Sequence, residues 1–134
     1  MTPTDRNLVV VRSAFDAWAA GRGSVFDLLA DDAVWTIPGS TPGAGEWRGR
    51  QAYIDSVVTP LFDRLAAPAW PELTGIWGDG DEVIVRWRQD SALKAGGSYR
   101  NEYAWFLTMN GGRATAVTAF LDLPAYAAAM GADA

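Results

Sequence analysis

The chain has 134 residues, 49% of them apolar and seven of them Trp, with a formal charge of −5; this suits a single domain over residues 1–134 whose core needs no staple. The absence of cysteine and histidine excludes disulfides, thiolate metal sites, Cys nucleophiles, Ser-His-Asp triads and the usual neutral-pH proton shuttle. The acidic balance argues against nucleic-acid backbone binding, and no run of eighteen apolar residues is present to cross a membrane.

Residues 4–20 read as a helix capped by Thr4, with Leu8, Val11, Phe15 and Trp18 at helical spacing. Its charges interrupt any signal-peptide core, so a cytoplasmic protein is expected. Gly21-Arg22-Gly23 stops the helix, and residues 24–30 read as a short second helix capped by Ser24 and closed by Asp31-Asp32. Residues 33–38 then form a short strand ending at Pro38. The Gly- and Pro-rich run that follows is a loop, with Glu46 and Trp47 placed to close the mouth of a site. Residues 50–66 read as a third helix, kinked or split by Pro60.

Strands are expected over residues 70–77, 82–90, 98–109 and 113–121, the last two joined by a hairpin turn at Asn110-Gly111-Gly112. A short helix over 124–130 follows, with Pro124 in its first turn. Helices first and strands later imply an α+β domain: a curved antiparallel sheet, cone-shaped, with three N-terminal helices packed on it and an internal pocket.

Strand alternation sorts side chains into two faces. Arg86 and Arg88 share one face of their strand, opposite Val83, Val85 and Trp87; Tyr99, Asn101, Tyr103 and Trp105 share one face of the next; and Thr118, Phe120 and Asp122 share one face of the last, opposite Val117, Ala119 and Leu121. Alternation alone leaves open which face is inside.

Four segments carry a family resemblance: LLADDAVWTIPG, GEWRGRQAYIDSVV, GSYRNEYAWFLTMNGGRATAV and FLDLPAY. In their order and spacing the chain resembles the nuclear transport factor 2-like superfamily, in particular its SnoaL-like polyketide cyclase branch. The resemblance implies that Arg86, Arg88, Asn101, Tyr103, Trp105 and Asp122 face a cavity, and that two copies pair through an outer face carrying Val117, Ala119 and Leu121. More distantly the chain is similar to limonene epoxide hydrolases, which carry a catalytic aspartate at the strand end matched by Asp122. Arg86 matches their arginine. Arg88 stands where they have an acid, and Trp35 and Ile37 stand where they have Tyr and Asn.

The candidates follow from these two lines. Asp122 is either a cavity acid–base group or the N-cap of the terminal helix. Arg86 with Asn101 or Tyr103 would stabilise an oxyanion and Arg88 would hold a polar substrate group, or the two arginines are ion-pair partners at a sheet edge with Asp90 or Glu102; Trp35, Trp105 and Phe120 would wall the pocket or simply pack the core. No carboxylate spacing suits a metal, and no glycine pattern suits a nucleotide phosphate. The expected function is cofactor-free isomerase, cyclase or hydrolase chemistry on a small hydrophobic, cyclic or polyketide-like compound. The alternatives are a non-catalytic binding domain for such a compound, and a dimerising scaffold whose pocket is filled by its own Trp and Phe side chains.

Overall fold

The computed structural model describes residues 1–131. Helix α1 (Pro3–Ala19) is capped two residues earlier than expected: Thr2, not Thr4, is the N-cap, in a reciprocal capping box with Asp5. Thr4 instead accepts a hydrogen bond from the Gly80 amide at 2.9 Å, pinning the start of α1 to a strand turn. The buried stripe of α1 is Val11, Phe15 and Trp18. Ser24 caps the next segment as expected, but it is a single 3₁₀ turn, Val25–Leu28, after which the backbone extends at Leu29.

Strand β1 (Leu29–Ile37) therefore starts before the acidic pair. Asp31 and Asp32 sit within it as consecutive exposed residues, where pairing with a neighbouring strand shifts register between Leu29 and Val34. Part of the expected loop is itself a strand, β2 (Gly45–Arg48), antiparallel to β1 through Trp35 opposite Trp47. A helical run follows as α2 (Arg50–Tyr53), a π-helical segment (Ile54–Val58) and α3 (Thr59–Phe62). The change of hydrogen-bond register falls just before Pro60, which has no amide hydrogen to donate. Strands β3 (Glu72–Asp79), β4 (Glu82–Ala92), β5 (Ser98–Asn110) and β6 (Arg113–Leu121) and helix α4 (Leu123–Ala129) complete the chain.

The six strands form one sheet in the order β2-β1-β6-β5-β4-β3. Every neighbouring pair is antiparallel except β1 with β6, which is parallel. The expected α+β architecture, helices against a curved sheet, is the one observed. Helix α1 lies across β3 and β4, and α2 lies against β1 and β2. Gly78 makes the close approach of α1 possible, since a Cβ there would come within 3.0 Å of Leu8 and Thr4. The space between sheet and helices holds a continuous aromatic core that includes Phe15, Trp18, Phe26, Trp35, Trp87 and Trp105. Among the described residues no helix is long and apolar enough to cross a membrane.

Sheet register decides which face is inside. Residues directly opposite in an antiparallel pair share a face. Trp87 is opposite Tyr103 and Val85 is opposite Trp105, whereas Arg86 is opposite Ala104 and Arg88 is opposite Glu102. Trp87, Tyr103 and Trp105 are buried, so Arg86 and Arg88 belong to the outer face. On β6, Val117 and Ala119 are buried inside and Leu121 lines the interior space, while Phe120 is 48% exposed on the outside.

Candidate functional site

The interior space between sheet and helices narrows to a cavity of ≈ 40 Å³. That is room for water, not for a ring compound, in the closed arrangement. Its walls come from both layers. Trp87, Tyr103 and Trp105 project from the sheet, and Tyr53, Val57, Val58 and Leu61 descend from the helical run that contains the π-helical segment. Gly43 of the β1–β2 loop, Leu121, and Leu123 and Tyr126 of the α4 region complete the lining. Gly43 has φ of 103°, and a Cβ there would come within 2.9 Å of the Tyr126 ring, so the loop seals against α4 only because this residue is glycine.

No charged side chain lines this cavity among the described residues. Of its polar residues, Tyr103 and Gln89 belong to a hydrogen-bonded chain that continues beyond the lining to Tyr99 and Asn101. The two amide hydrogens of Asn101 go to the Asp122 carbonyl and the Tyr99 hydroxyl, each at 2.9 Å, and its Oδ1 accepts from the Asp122 amide at 2.9 Å. The Tyr99 and Tyr103 hydroxyls lie 2.6 Å apart, Tyr103 donates to Gln89 Oε1 at 3.3 Å, and Gln89 Nε2 donates to Ser91 Oγ at 3.0 Å. The backbone amide of Asp122 can only donate, so it fixes the Asn101 amide orientation and hence the direction of the whole chain. Each hydroxyl passes its hydrogen onward, from Tyr99 to Tyr103 to Gln89.

Burial pushes the Tyr99 phenol up to about 12, and burial likewise drives Tyr103 and Tyr53 well above the ordinary phenol value. These hydroxyls are neutral hydrogen-bond donors at neutral pH, not bases. The Trp87 and Trp35 indole N–H groups, in residues 3% and 2% exposed, have no hydrogen-bond acceptor. Trp87 stacks on Tyr103 at 4.0 Å and lines the cavity; Trp35 stacks on Tyr53 at 4.1 Å, behind the cavity wall.

The sequence-derived candidates divide accordingly. Tyr103 and Trp105 are on the cavity wall and Trp35 supports it from behind. Asn101 is buried on the inner face, but its amide is committed to Asp122 and Tyr99, which makes it a clamp. The expectation that Arg86, Arg88 and Asp122 face the cavity is corrected. Arg86 pairs with Glu102 and Arg88 with Glu72 on the exposed outer face. Two unpaired arginines in an apolar interior carry a desolvation cost that these exposed carboxylates remove. Asp122 is exposed and its side chain accepts from the Ala125 amide at 3.3 Å, the N-cap alternative. Phe120 stands outside against Phe106, not on the pocket wall. Trp47 packs edge-on to Tyr53, while Glu46 is exposed and paired with Arg48.

Sequence reasoning passed over Gln89, Tyr99, Tyr53 and Tyr126. Gln89 was within reach, since it continues the Val83, Val85, Trp87 alternation by one step. Tyr99 shares its face with Asn101 and Tyr103 for the same reason.

The comparisons with known proteins agree on the fold. The SnoaL-like domain family matches residues 11–117. No curated protein matches the chain. Among solved structures, Bal32a from a soil-derived mobile gene cassette superposes with a TM-score of 0.76 at 20% identity, covering 93% of this chain and 96% of that one. An NTF2-like protein from Burkholderia xenovorans LB400 gives a TM-score of 0.67 at 22% identity, covering 95% and 97%. TerC, co-crystallised with polyporic acid, gives 0.72 at 17% identity, covering 98% and 100%.

Proposed function

The chain belongs to the SnoaL-like domain family, and on that premise we propose that its cone is a binding site for a small, neutral, hydrophobic ring compound. The observation that carries this reading is the cavity lining: aromatic and aliphatic walls that include three tyrosines, Tyr53, Tyr103 and Tyr126, with the amide of Gln89 and no charged group among the described residues. Such a site gains by burying apolar surface and orients its ligand with few polar contacts. A charged ligand would enter without a counter-charge. At ≈ 40 Å³ the cavity takes a ring only when lining groups move outward. That TerC was co-crystallised with polyporic acid supports the reading only through the fold the two proteins share.

Catalysis of the cofactor-free isomerase or cyclase type is a second reading, favoured by one feature. The Tyr103 hydroxyl, backed by Tyr99 at 2.6 Å, is a neutral donor of the kind that stabilises an oxyanion once its hydrogen leaves Gln89 Oε1, a long bond of 3.3 Å. A base would then have to be water or Asp122, which caps α4 outside the cavity.

The test is saturable quenching of Trp fluorescence by 1-naphthol, followed in the wild type and in Tyr103→Phe. The binding reading expects saturation in the wild type and affinity weakened about tenfold in the variant, one lost hydrogen bond in a desolvated site. Absence of saturable binding would refute it. Turnover of a ring substrate that vanishes in Asp122→Asn would move the assignment to catalysis.

A further inference from the structure

The polar groups that line the cavity fall into two sets. On the sheet side, the Tyr103 hydroxyl and the Gln89 amide are engaged with each other and with Tyr99 and Ser91. On the helical side stand two phenols, Tyr53 of α2 and Tyr126 of α4, and neither hydroxyl has a hydrogen-bond partner among the described residues. Tyr126 is half-buried and within reach of solvent, whereas Tyr53 is 6% exposed. The Tyr53 oxygen is nevertheless not sealed: among the described residues the orphaned polar atoms without accessible surface are the Trp35 and Trp87 indole nitrogens. What surface the oxygen keeps, in a residue so deeply buried, faces the cavity that the residue lines. The neighbouring phenols agree with this placement. Burial, then Tyr126, then Tyr99 push the Tyr53 phenol up; burial and Tyr99 push Tyr103 up, with Tyr53 and Tyr126 adding to it, so the hydroxyl ends of the four rings lie near one another. A buried hydroxyl without a partner is costly, and phenylalanine would fill the same place without that cost.

We infer that the Tyr53 hydroxyl is the anchor of the cavity, a binding residue that meets the hydroxyl or carbonyl oxygen of a neutral ring ligand and so selects it over a ring of the same shape without oxygen. The inference rests on the binding reading above and adds the ligand's functional group and the residue that reads it. The Tyr53 ring is stacked on Trp35 at 4.1 Å and flanked by Trp47 and Phe26 at 5.7 and 6.0 Å. Its hydroxyl is therefore held in place before a ligand arrives. Tyr103 must release Gln89 before it can donate elsewhere, whereas Tyr53 surrenders no protein contact. A phenol gives its hydrogen to a carbonyl, and gives or takes one with a hydroxyl. A hydrocarbon that fills the cavity shuts the Tyr53 hydroxyl off from water and leaves it unmet; a ligand oxygen replaces the bond lost.

Two matched pairs of probes separate this inference from the reading it rests on: 1-naphthol against naphthalene for a hydroxyl, and 1-tetralone against tetralin for a carbonyl. Isothermal titration is made on the whole chain, wild type and Tyr53→Phe. In the wild type the oxygen-bearing member of each pair is expected to bind about tenfold more tightly than the hydrocarbon. Tyr53→Phe is expected to erase that preference while keeping hydrocarbon affinity within about threefold, since it removes one oxygen and leaves the ring. A preference in one pair alone supports the inference and identifies the group as hydroxyl or carbonyl. Equal affinity within both pairs, or a preference that survives in Tyr53→Phe, overturns the inference and leaves the binding reading standing. Binding of no probe overturns both. Thermal melts supply the second measurement. A hydroxyl kept for a ligand holds nothing in the unliganded fold, so Tyr53→Phe should melt no more than about 3 °C below the wild type. A larger fall, or a variant that does not fold, shows that the hydroxyl serves the structure and overturns the inference.

Discussion

Replacing Asn101 tests the idea that this residue is a clamp. Asn101 is 5% exposed and makes three hydrogen bonds at 2.9 Å, two to the Asp122 backbone and one to the Tyr99 hydroxyl. Asn101→Ala removes all three. Each is worth roughly 0.5–1.5 kcal/mol net. The Asp122 backbone lies at an exposed strand end where water can replace its lost partners, and Tyr99 keeps its bond to Tyr103. The expected loss is therefore about 2–3 kcal/mol, or on the order of 10 °C in melting temperature for a domain of this size. Urea unfolding followed by Trp fluorescence reads it as a lower midpoint at unchanged slope. Asn101→Asp gives a sharper control. A carboxylate there can accept from the Asp122 amide, but it faces the Asp122 carbonyl oxygen with no hydrogen to give and carries a buried charge at neutral pH. It should be less stable than Asn101→Ala at pH 7 and recover relative to it at pH 3, where the carboxyl is protonated. A loss under about 0.5 kcal/mol in Asn101→Ala, or no pH dependence between the two variants, would refute the clamp.

Alkaline stability follows from the buried phenols. Tyr99 has a folded pKa of about 12 against an ordinary value of 10.0, so its contribution is complete below pH 10 and is lost as pH rises from 10 to 12, by about 2–3 kcal/mol. Thermal melts at stepped pH should be flat from 7 to 9 and fall above 10, with a shallower fall in Tyr99→Phe; equal slopes would argue against it. Pairing of two copies is proposed on the corrected outer face, where Phe120 packs on Phe106 and Ile84 lies opposite Phe106 on the next strand. Phe120→Glu should convert a dimer into a monomer in analytical ultracentrifugation without lowering the melting temperature of the monomer. A wild type that is monomeric at all concentrations would exclude the pairing.

The elements were legible because their stop signals are local. Gly21, Pro38 and Asn110-Gly111-Gly112 each end or turn an element within a residue or two of the expected place. The inner face was not legible, because alternation fixes two faces and only register chooses between them. The family resemblance put Arg86 and Arg88 inside with Tyr103. Pairing of Arg88 with Glu102 and of Trp87 with Tyr103 puts them on opposite sides. Of the two readings of these arginines the ion pair is the one adopted, Arg86 with the foreseen Glu102 and Arg88 with Glu72, both on the solvent face. Strand β2 was hidden because its four residues, Gly45–Arg48, carry no apolar alternation and owe their extended form to pairing with β1. Asp122 was read correctly as one of two alternatives, and the cap was the one adopted, because the aspartate precedes Leu123-Pro124 at a helix start.

The parallel pairing of β1 with β6 has a consequence for how the chain is made. Val34 pairs with Ala116, and Thr36 with Thr118, segments about eighty residues apart in the chain. The hairpins β3–β4, β4–β5 and β5–β6 close locally, whereas β1 has only the short strand β2 beside it until β6 exists. During synthesis the ribosome releases β1 well before β6. The apolar side of β1, with Ala33, Trp35 and Ile37, then waits for β6 to emerge before it has the main sheet to join. Final closure waits for a contact of long sequence separation, which slows folding and leaves the nascent β1 segment in need of shielding from aggregation.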